Sequence, residues 1–195
     1  MDKQAIIDFF DGCAPFWDRS ATKDPVIIDT ILSGANLQEG MTVLDVATGT
    51  GILIPDYLAR KVGSITAVDF SAEMIEIAKS KYQADNLTLL CCDVFDLNEW
   101  ESYDCIVVYN AFPHFPDPAA VISHLSRLLR PGGTLTVAHG MSRAALAKHH
   151  SGAAQNVSIE LLHEDALAKL MASTLTVTVK ISNDQMYQVS GAKPQ

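Results

Sequence analysis

The sequence predicts an α/β domain, a doubly wound parallel sheet with helices on both faces. Three observations predict it. From Met41 onward, short apolar runs alternate with stretches of helical period. These runs are rich in branched residues and uniformly apolar, as strands buried on both faces are. The first of them runs directly into a glycine-rich turn, DVATGTG (45–51), before the next helical stretch.

Taken in order, two helices precede the sheet, Asp2 to Phe10 and roughly Pro25 to Ser33. MTVLDVA (41–47) reads as a strand and ILIPDYLARKV (52–62) as a helix with Pro55 near its first turn. SITAVDF (64–70) is a second strand. Ser71 is placed to cap AEMIEIAKSKY (72–82), whose Met74, Ile75 and Ala78 share one face. NLTLLCCD (86–93) and YDCIVVYN (103–110) are strands three and four. Asp117 and Pro118 open a helix, Gly132 and Gly133 are expected to end it, and the fifth strand follows. SRAALAKHH and HEDALAKLMA are helical. TLTVTVKISND and MYQVSG then form two strands joined by a turn at Asn183 and Asp184. So short a link makes that pair antiparallel.

Composition narrows the function. The chain has 195 residues, 48% hydrophobic and 19% charged, in the range of one globular domain. The net charge of −9 argues against a nucleic-acid partner, whose phosphates need a basic surface. No apolar run reaches membrane-spanning length, and MDKQAIIDFFD does not read as a signal peptide. Four cysteines, Cys13, Cys91, Cys92 and Cys105, form no CxxC pair, so a reduced, cytoplasmic setting is expected.

The glycine turn lets a ligand lie close against backbone. It is not the dinucleotide fingerprint: counting from Gly49, the third glycine position holds Ile54. Asp45 ends the first strand and suits a cationic ligand better than a pyrophosphate. Asp69 ends the second, 24 residues beyond Asp45, where a carboxylate accepts hydrogen bonds from ribose hydroxyls. Asp93 ends the third and can accept from an exocyclic amine. Any one of them is explained equally well as a helix cap or a turn residue; together with the glycine turn they point to a ligand at the carboxyl ends of the strands.

These motifs resemble the class I S-adenosylmethionine-dependent methyltransferases. The resemblance is carried by VLDVATGTG (43–51), AVDFSAEMIEIAK (67–79), LLCCDVFDL (89–97), YDCIVVYNAFPHFPD (103–117) and LLRPGGTLTV (128–137), over nearly the whole chain. It implies a Rossmann-like sheet of seven strands with the last antiparallel. It also implies S-adenosyl-L-methionine as cofactor. Ala47, Thr48, Gly49 and Gly51 are then expected to line its methionine part, with Asp45 close by. Asp69 is expected at the ribose, Phe70 against the nucleoside, and Met74 near the adenine. Asp93 is expected at the adenine amine with Val94 beside it, and Asn110 near the sulfonium. Two departures are Ala47, where many members have the first glycine, and Cys92, where a glycine often precedes the adenine-binding acid; both are small.

The arm carries FFDGCAPFWD (9–18), four aromatics in ten residues of a chain that is 7% aromatic. It resembles the FDxxAxxYD segment of the ubiquinone and menaquinone C-methyltransferases, with Trp17 in place of the tyrosine. In that family this arm folds over the cofactor, and rings attract a sulfonium cation. Phe9 and Phe10 are expected to anchor the arm in the core, and Phe16 and Trp17 to form the lid. The chain divides on this reading into a helical lid (1–38), a cofactor-binding core (39–139) and a short cap with a C-terminal hairpin (140–195), all one domain.

The expected activity is methyl transfer to a small-molecule acceptor by in-line displacement. Two alternatives stay open: a quinone-ring C-methyltransferase, and a module that binds the cofactor without turnover. A nicotinamide oxidoreductase is disfavoured by Ile54. His114, past the fourth strand, and His139, ending the fifth, are candidates for a base or a substrate hydrogen bond. Each is explained equally well as a histidine bonded to loop backbone. His149 and His150 are adjacent in a helix, where only one of two neighbours faces a given site, so no metal is expected. The cap is short, so either the acceptor is small or a second copy in a homodimer helps cover it.

Overall fold

Alternation of uniformly apolar runs with amphipathic ones becomes, in the computed structural model, a sheet sandwiched by helices; residues 2–20, 23–150 and 153–195 are described. The N-terminal arm comprises α1 (Lys3–Cys13), a 3-10 turn (Ala14–Phe16) and the short α2 (Trp17–Ser20), followed by α3 (Pro25–Gly34). Next come β1 (Thr42–Val46), α4 (Ile54–Ala59), β2 (Ser64–Asp69), α5 (Ala72–Lys81), β3 (Leu87–Cys91), β4 (Tyr103–Tyr109), α6 (Pro118–Leu128) and β5 (Leu129–His139). The C-terminal part holds α7 (Arg143–His150), α8 (Glu164–Met171), β6 (Thr176–Ser182) and β7 (Tyr187–Ala192).

Among the described residues seven strands form one sheet in the order β3-β2-β1-β4-β5-β7-β6. β1 to β5 are parallel, and β7 runs antiparallel to both β5 and β6. Along β4 successive side chains go to opposite faces, and both faces are dry. Cys105 and Val107 join Ile28, Ile31, Leu32 and Tyr57 of α3 and α4 on one side. Ile106 and Val108 join Val121, Ile122 and Leu125 of α6 and Met171 of α8 on the other. Two-sided burial is why these strands show no polar alternation.

The caps expected from sequence are present. Ser71 Oγ accepts from Met74 N at 3.2 Å, and Asp117 Oδ1 from Ala120 N at 2.9 Å. Met74, Ile75 and Ala78 are the buried face of α5.

Three boundaries differ. α1 runs to Cys13 rather than Phe10 and continues through the 3-10 turn into α2, so the arm is a longer helical unit. α4 starts only at Ile54, because the glycine turn extends to Leu53, which offers no capping side chain. The helix α6 is not ended by Gly132 and Gly133. It stops at Leu128, Leu129 is already extended and pairs with Tyr103, and β5 begins there. The two glycines instead sit inside β5, clipped to the C-terminal chain: Gly132 N donates to Lys193 O and Lys193 N to Gly133 O.

The strand order reverses between β1 and β4, so the loops leaving these two strands diverge and open a crevice at the carboxyl edge of the sheet. No helix among the described residues is long and apolar enough to cross a membrane.

Candidate functional site

The crevice is a cavity of about 500 Å³. Its floor is the glycine turn. Ala47 and Gly49 both have left-handed backbone, at φ 54° and 57°. Glycine takes this conformation freely, whereas for alanine it costs roughly 1 kcal/mol. The turn is held by Thr48 N donating to Val68 O and Gly51 N to Thr48 O. A methyl group built on Gly49 meets nothing nearer than Trp17 Nε1, at 3.8 Å, so the space above this glycine belongs to the cavity.

Asp45 lies beneath the turn rather than in the lining. It is buried, with Thr48 Oγ donating to one oxygen at 2.6 Å and Tyr57 OH to the other at 3.1 Å. Its carboxyl braces the loop. Burial pushes it up to about 7, against the lowering effect of the two hydroxyls. Tyr57 had no signal of function in the sequence, because a tyrosine inside an apolar helix reads as core.

Asp69 lines the cavity and links two loops. Gly49 N donates to Oδ2 at 2.8 Å and Ser71 N to Oδ1 at 2.9 Å. Each carboxylate oxygen has two lone pairs, so each keeps one for a ligand. Burial raises this carboxyl to about 6, although both amides favour the ionised form. Phe70 and Met74 line the cavity beside it. Asp93 also lines it, with Oδ1 accepting from Phe95 N and Oδ2 paired to Lys3 of α1 at 2.6 Å. Lys3 is 60% exposed, so this pair is weak and readily exchanged. Ninety residues separate the two partners, and nothing local in the sequence announces them.

Asn110 lines the cavity from the end of β4. Its backbone is left-handed, at φ 55°, which asparagine tolerates better than most residues. Its Oδ1 accepts from Gly140 N at 2.9 Å, tying the β4 and β5 exits together. His114 lines the same side, and its Nδ1 lies 2.8 Å from Val157 O. A carbonyl only accepts, so Nδ1 carries the proton and a neutral ring keeps its lone pair on Nε2.

Three other expected residues stand outside the lining. Gly51 packs against Ile54 and Tyr82. Val94 is in the core, and its carbonyl oxygen is 2.9 Å from His124 Nε2. His139 is fully buried beside Tyr187, where the cavity does not reach. The side chains of His149 and His150 lie outside the described residues. No cluster of three metal-ligating side chains occurs among the described residues.

The aromatic arm corrects two expectations. Phe9 and Phe10 do not anchor the core: they line the cavity with Trp17, and Ile6 is the buried residue of α1. Phe10 meets Phe9, Trp17 and His114 edge to face, at ring distances of 5.3, 5.6 and 4.8 Å. Phe16 is 61% exposed with Arg19 over it, so it is no lid. The stripe Ile6, Phe10, Cys13, Trp17 at helical spacing was the available signal. Polar contacts clamp the arm: Asp11 takes Ser71 Oγ, and Asp18 takes Thr50 Oγ and Lys81.

Residues 43–133 match the family described as Methyltransferase domain. This segment is a methyltransferase domain. Its family uses S-adenosylmethionine as methyl donor. A ubiquinone biosynthesis O-methyltransferase of Coxiella burnetii is 28% identical over 143 residues, covering 69% of this chain. The chain spans 61% of that relative's length. The N-methyltransferase NodS of Bradyrhizobium japonicum WM9, solved with S-adenosyl-L-homocysteine, superposes with a TM-score of 0.74 at 14% identity, over 98% of both chains. A complex of the Haloferax volcanii Trm112 methyltransferase activator with a putative methyltransferase gives 0.74 at 21% identity, over 95% of this chain and 98% of that one. At such identities these two show the fold.

The methyltransferase cavity fits the family's donor. It offers open backbone at Gly49, a buried carboxylate with spare lone pairs at Asp69, and a ring surface opposite, at Trp17. Trp17→Ala is expected to weaken donor binding about fivefold, on the order of 1 kcal/mol for a lost ring–cation contact. Unchanged affinity with a lower melting temperature shows instead that Trp17 only packs. Affinity is also expected to fall below about pH 6, where Asp69 is protonated, by about tenfold per pH unit, and to level off above about pH 7. Both carboxyls are raised, so the unliganded fold has their full stabilisation below about pH 4 and loses it as pH climbs through about 6 to 7. Calorimetric titrations across pH and pH-dependent melting check the two trends.

Proposed function

We propose that this chain transfers a methyl group from S-adenosylmethionine to a small-molecule acceptor. The observation that carries the reading is the open Gly49 backbone beneath Trp17 with the Asp69 carboxylate alongside. When bound, S-adenosylmethionine supplies an electrophilic methyl group on a sulfonium, which an acceptor takes by in-line displacement.

The chain's part is to hold, align and keep dry. Asp69 accepts the ribose hydroxyls with the lone pairs its two amide bonds leave. Phe70 and Met74 flank the nucleoside. Asp93 takes the adenine amine on exchanging Lys3. Ala47, Thr48, Gly49 and Asn110 border the methionine end, with Asp45 and Gly51 shaping the turn from behind and Val94 packing behind Asp93. Residues 1–38 act as the lid, closing Phe9, Phe10 and Trp17 over the site and excluding water. Residues 39–139 hold the donor, and residues 140–195 complete the acceptor side. His114 is the proposed base, since its lone pair is on Nε2 at the acceptor side. His139 takes no part, being sealed in the core.

The test is calorimetric titration with S-adenosylmethionine and S-adenosylhomocysteine, then methyl transfer to a panel of small nucleophiles. Micromolar binding and a methylated product support the reading. Binding of neither compound overturns it, and binding without transfer to any acceptor leaves a cofactor-binding module in its place.

A further inference from the structure

We propose that the acceptor side of the cavity takes a compact, uncharged molecule with an apolar body and a single hydroxyl or thiol group. This deepens the methyltransferase reading above and rests on it.

The wall on this side is Phe10, Phe115, Met141 and Leu146. Its polar members are Tyr109, Asn110 and His114, enough to orient one hydroxyl or thiol. The charged residues in the lining are Lys3, Asp69 and Asp93, all described above. Lys3 is the one cation among the described lining residues, and it stands at the Asp93 end of the cavity, 2.6 Å from that carboxylate. Arg143 of the cap, outside the lining, is turned to Leu161 O at 3.3 Å and Glu160 at 3.5 Å.

An anionic acceptor therefore enters a ring-lined space in which, among the described lining residues, Lys3 at the Asp93 end is the one cation. Moving a carboxylate into such surroundings costs several kcal/mol. The field works in the same direction, because two carboxylates share the cavity and the chain carries −9 overall. A cationic acceptor is drawn by that field but opposed at close range by the donor's own sulfonium. The uncharged molecule meets neither penalty. Volume sets its size: about 500 Å³ suits one drug-sized ligand, and here it houses donor and acceptor together.

The experiment uses the full chain saturated with S-adenosylhomocysteine, so that binding is read without turnover. Two matched probe pairs are titrated: phenol against 4-hydroxybenzoate, and benzyl mercaptan, a thiol that stays protonated at neutral pH, against 4-(mercaptomethyl)benzoate. The neutral member of at least one pair is expected to bind at least about tenfold more tightly. The pair that binds separates hydroxyl from thiol acceptors. Met141→Lys, which puts a cation on the acceptor wall, is expected to reduce or reverse the ratio. Equal or tighter binding of the anionic members overturns the proposal. So does a ratio unmoved by Met141→Lys, or the absence of binding by any probe at millimolar concentration. If S-adenosylhomocysteine itself does not bind, the methyltransferase reading falls, and this proposal with it.

Discussion

Replacing His114 by asparagine is expected to lower kcat by about 100- to 10,000-fold, the usual loss on removing a general base. The donor's Kd is expected to stay within about threefold, because on the proposed reading His114 meets the acceptor and not the donor. Asparagine is the informative substitute. Its side-chain amide can donate to Val157 O, as Nδ1 does now at 2.8 Å, so the tie between the β4 exit and the cap survives. The lone pair on Nε2 does not. The readout that separates chemistry from structure is kcat set beside the melting temperature. In His114→Asn, kcat is expected to fall while the melting temperature stays near that of the wild type. A lowered melting temperature with kcat unchanged makes His114 a structural clamp between Phe10 and the cap, and removes it from the mechanism.

Asp69→Asn is expected to weaken binding of both S-adenosylmethionine and S-adenosylhomocysteine by on the order of 100-fold, about 3 kcal/mol for charge-assisted hydrogen bonds lost in a buried site. The same carboxylate also holds Gly49 N and Ser71 N. An asparagine amide turned toward either amide leaves two donors facing each other, so part of the loss comes through the loop. The pH dependence distinguishes the two. The wild-type affinity falls as the carboxyl, raised to about 6 by burial, takes up its proton. With asparagine that group is gone, and the slope below about pH 6 is expected to flatten. A mutant that binds as tightly as wild type excludes Asp69 from the ribose site.

Much of the fold was legible in the sequence, and the reason is local. Uniformly apolar runs such as YDCIVVYN mark strands buried on both faces, and Ser71 and Asp117 act within three residues of themselves. The acids at strand ends were legible for the same reason, since the carboxyl edge of a parallel sheet follows from strand direction alone. The RPGG segment misled because its two meanings are locally identical. As a helix stop it needs only glycine. As a bulge within β5 it needs Lys193, sixty residues away.

By itself the sequence determined the sheet, the glycine turn and the set of carboxylates near the turn, all of them properties of neighbours along the chain. Tertiary structure alone decided which of those groups face the cavity. Asp45 turned inward to Thr48 and Tyr57, His139 was sealed beside Tyr187, and Lys3 reached Asp93 across ninety residues of chain. The arm shows the same division. Its ring-rich composition is a local fact, but that Phe10 faces His114 while Phe16 faces solvent depends on how α1 docks against the carboxyl edge. Docking is set by contacts between residues far apart in sequence, such as Asp11 with Ser71 and Asp18 with Lys81, and no periodicity records those.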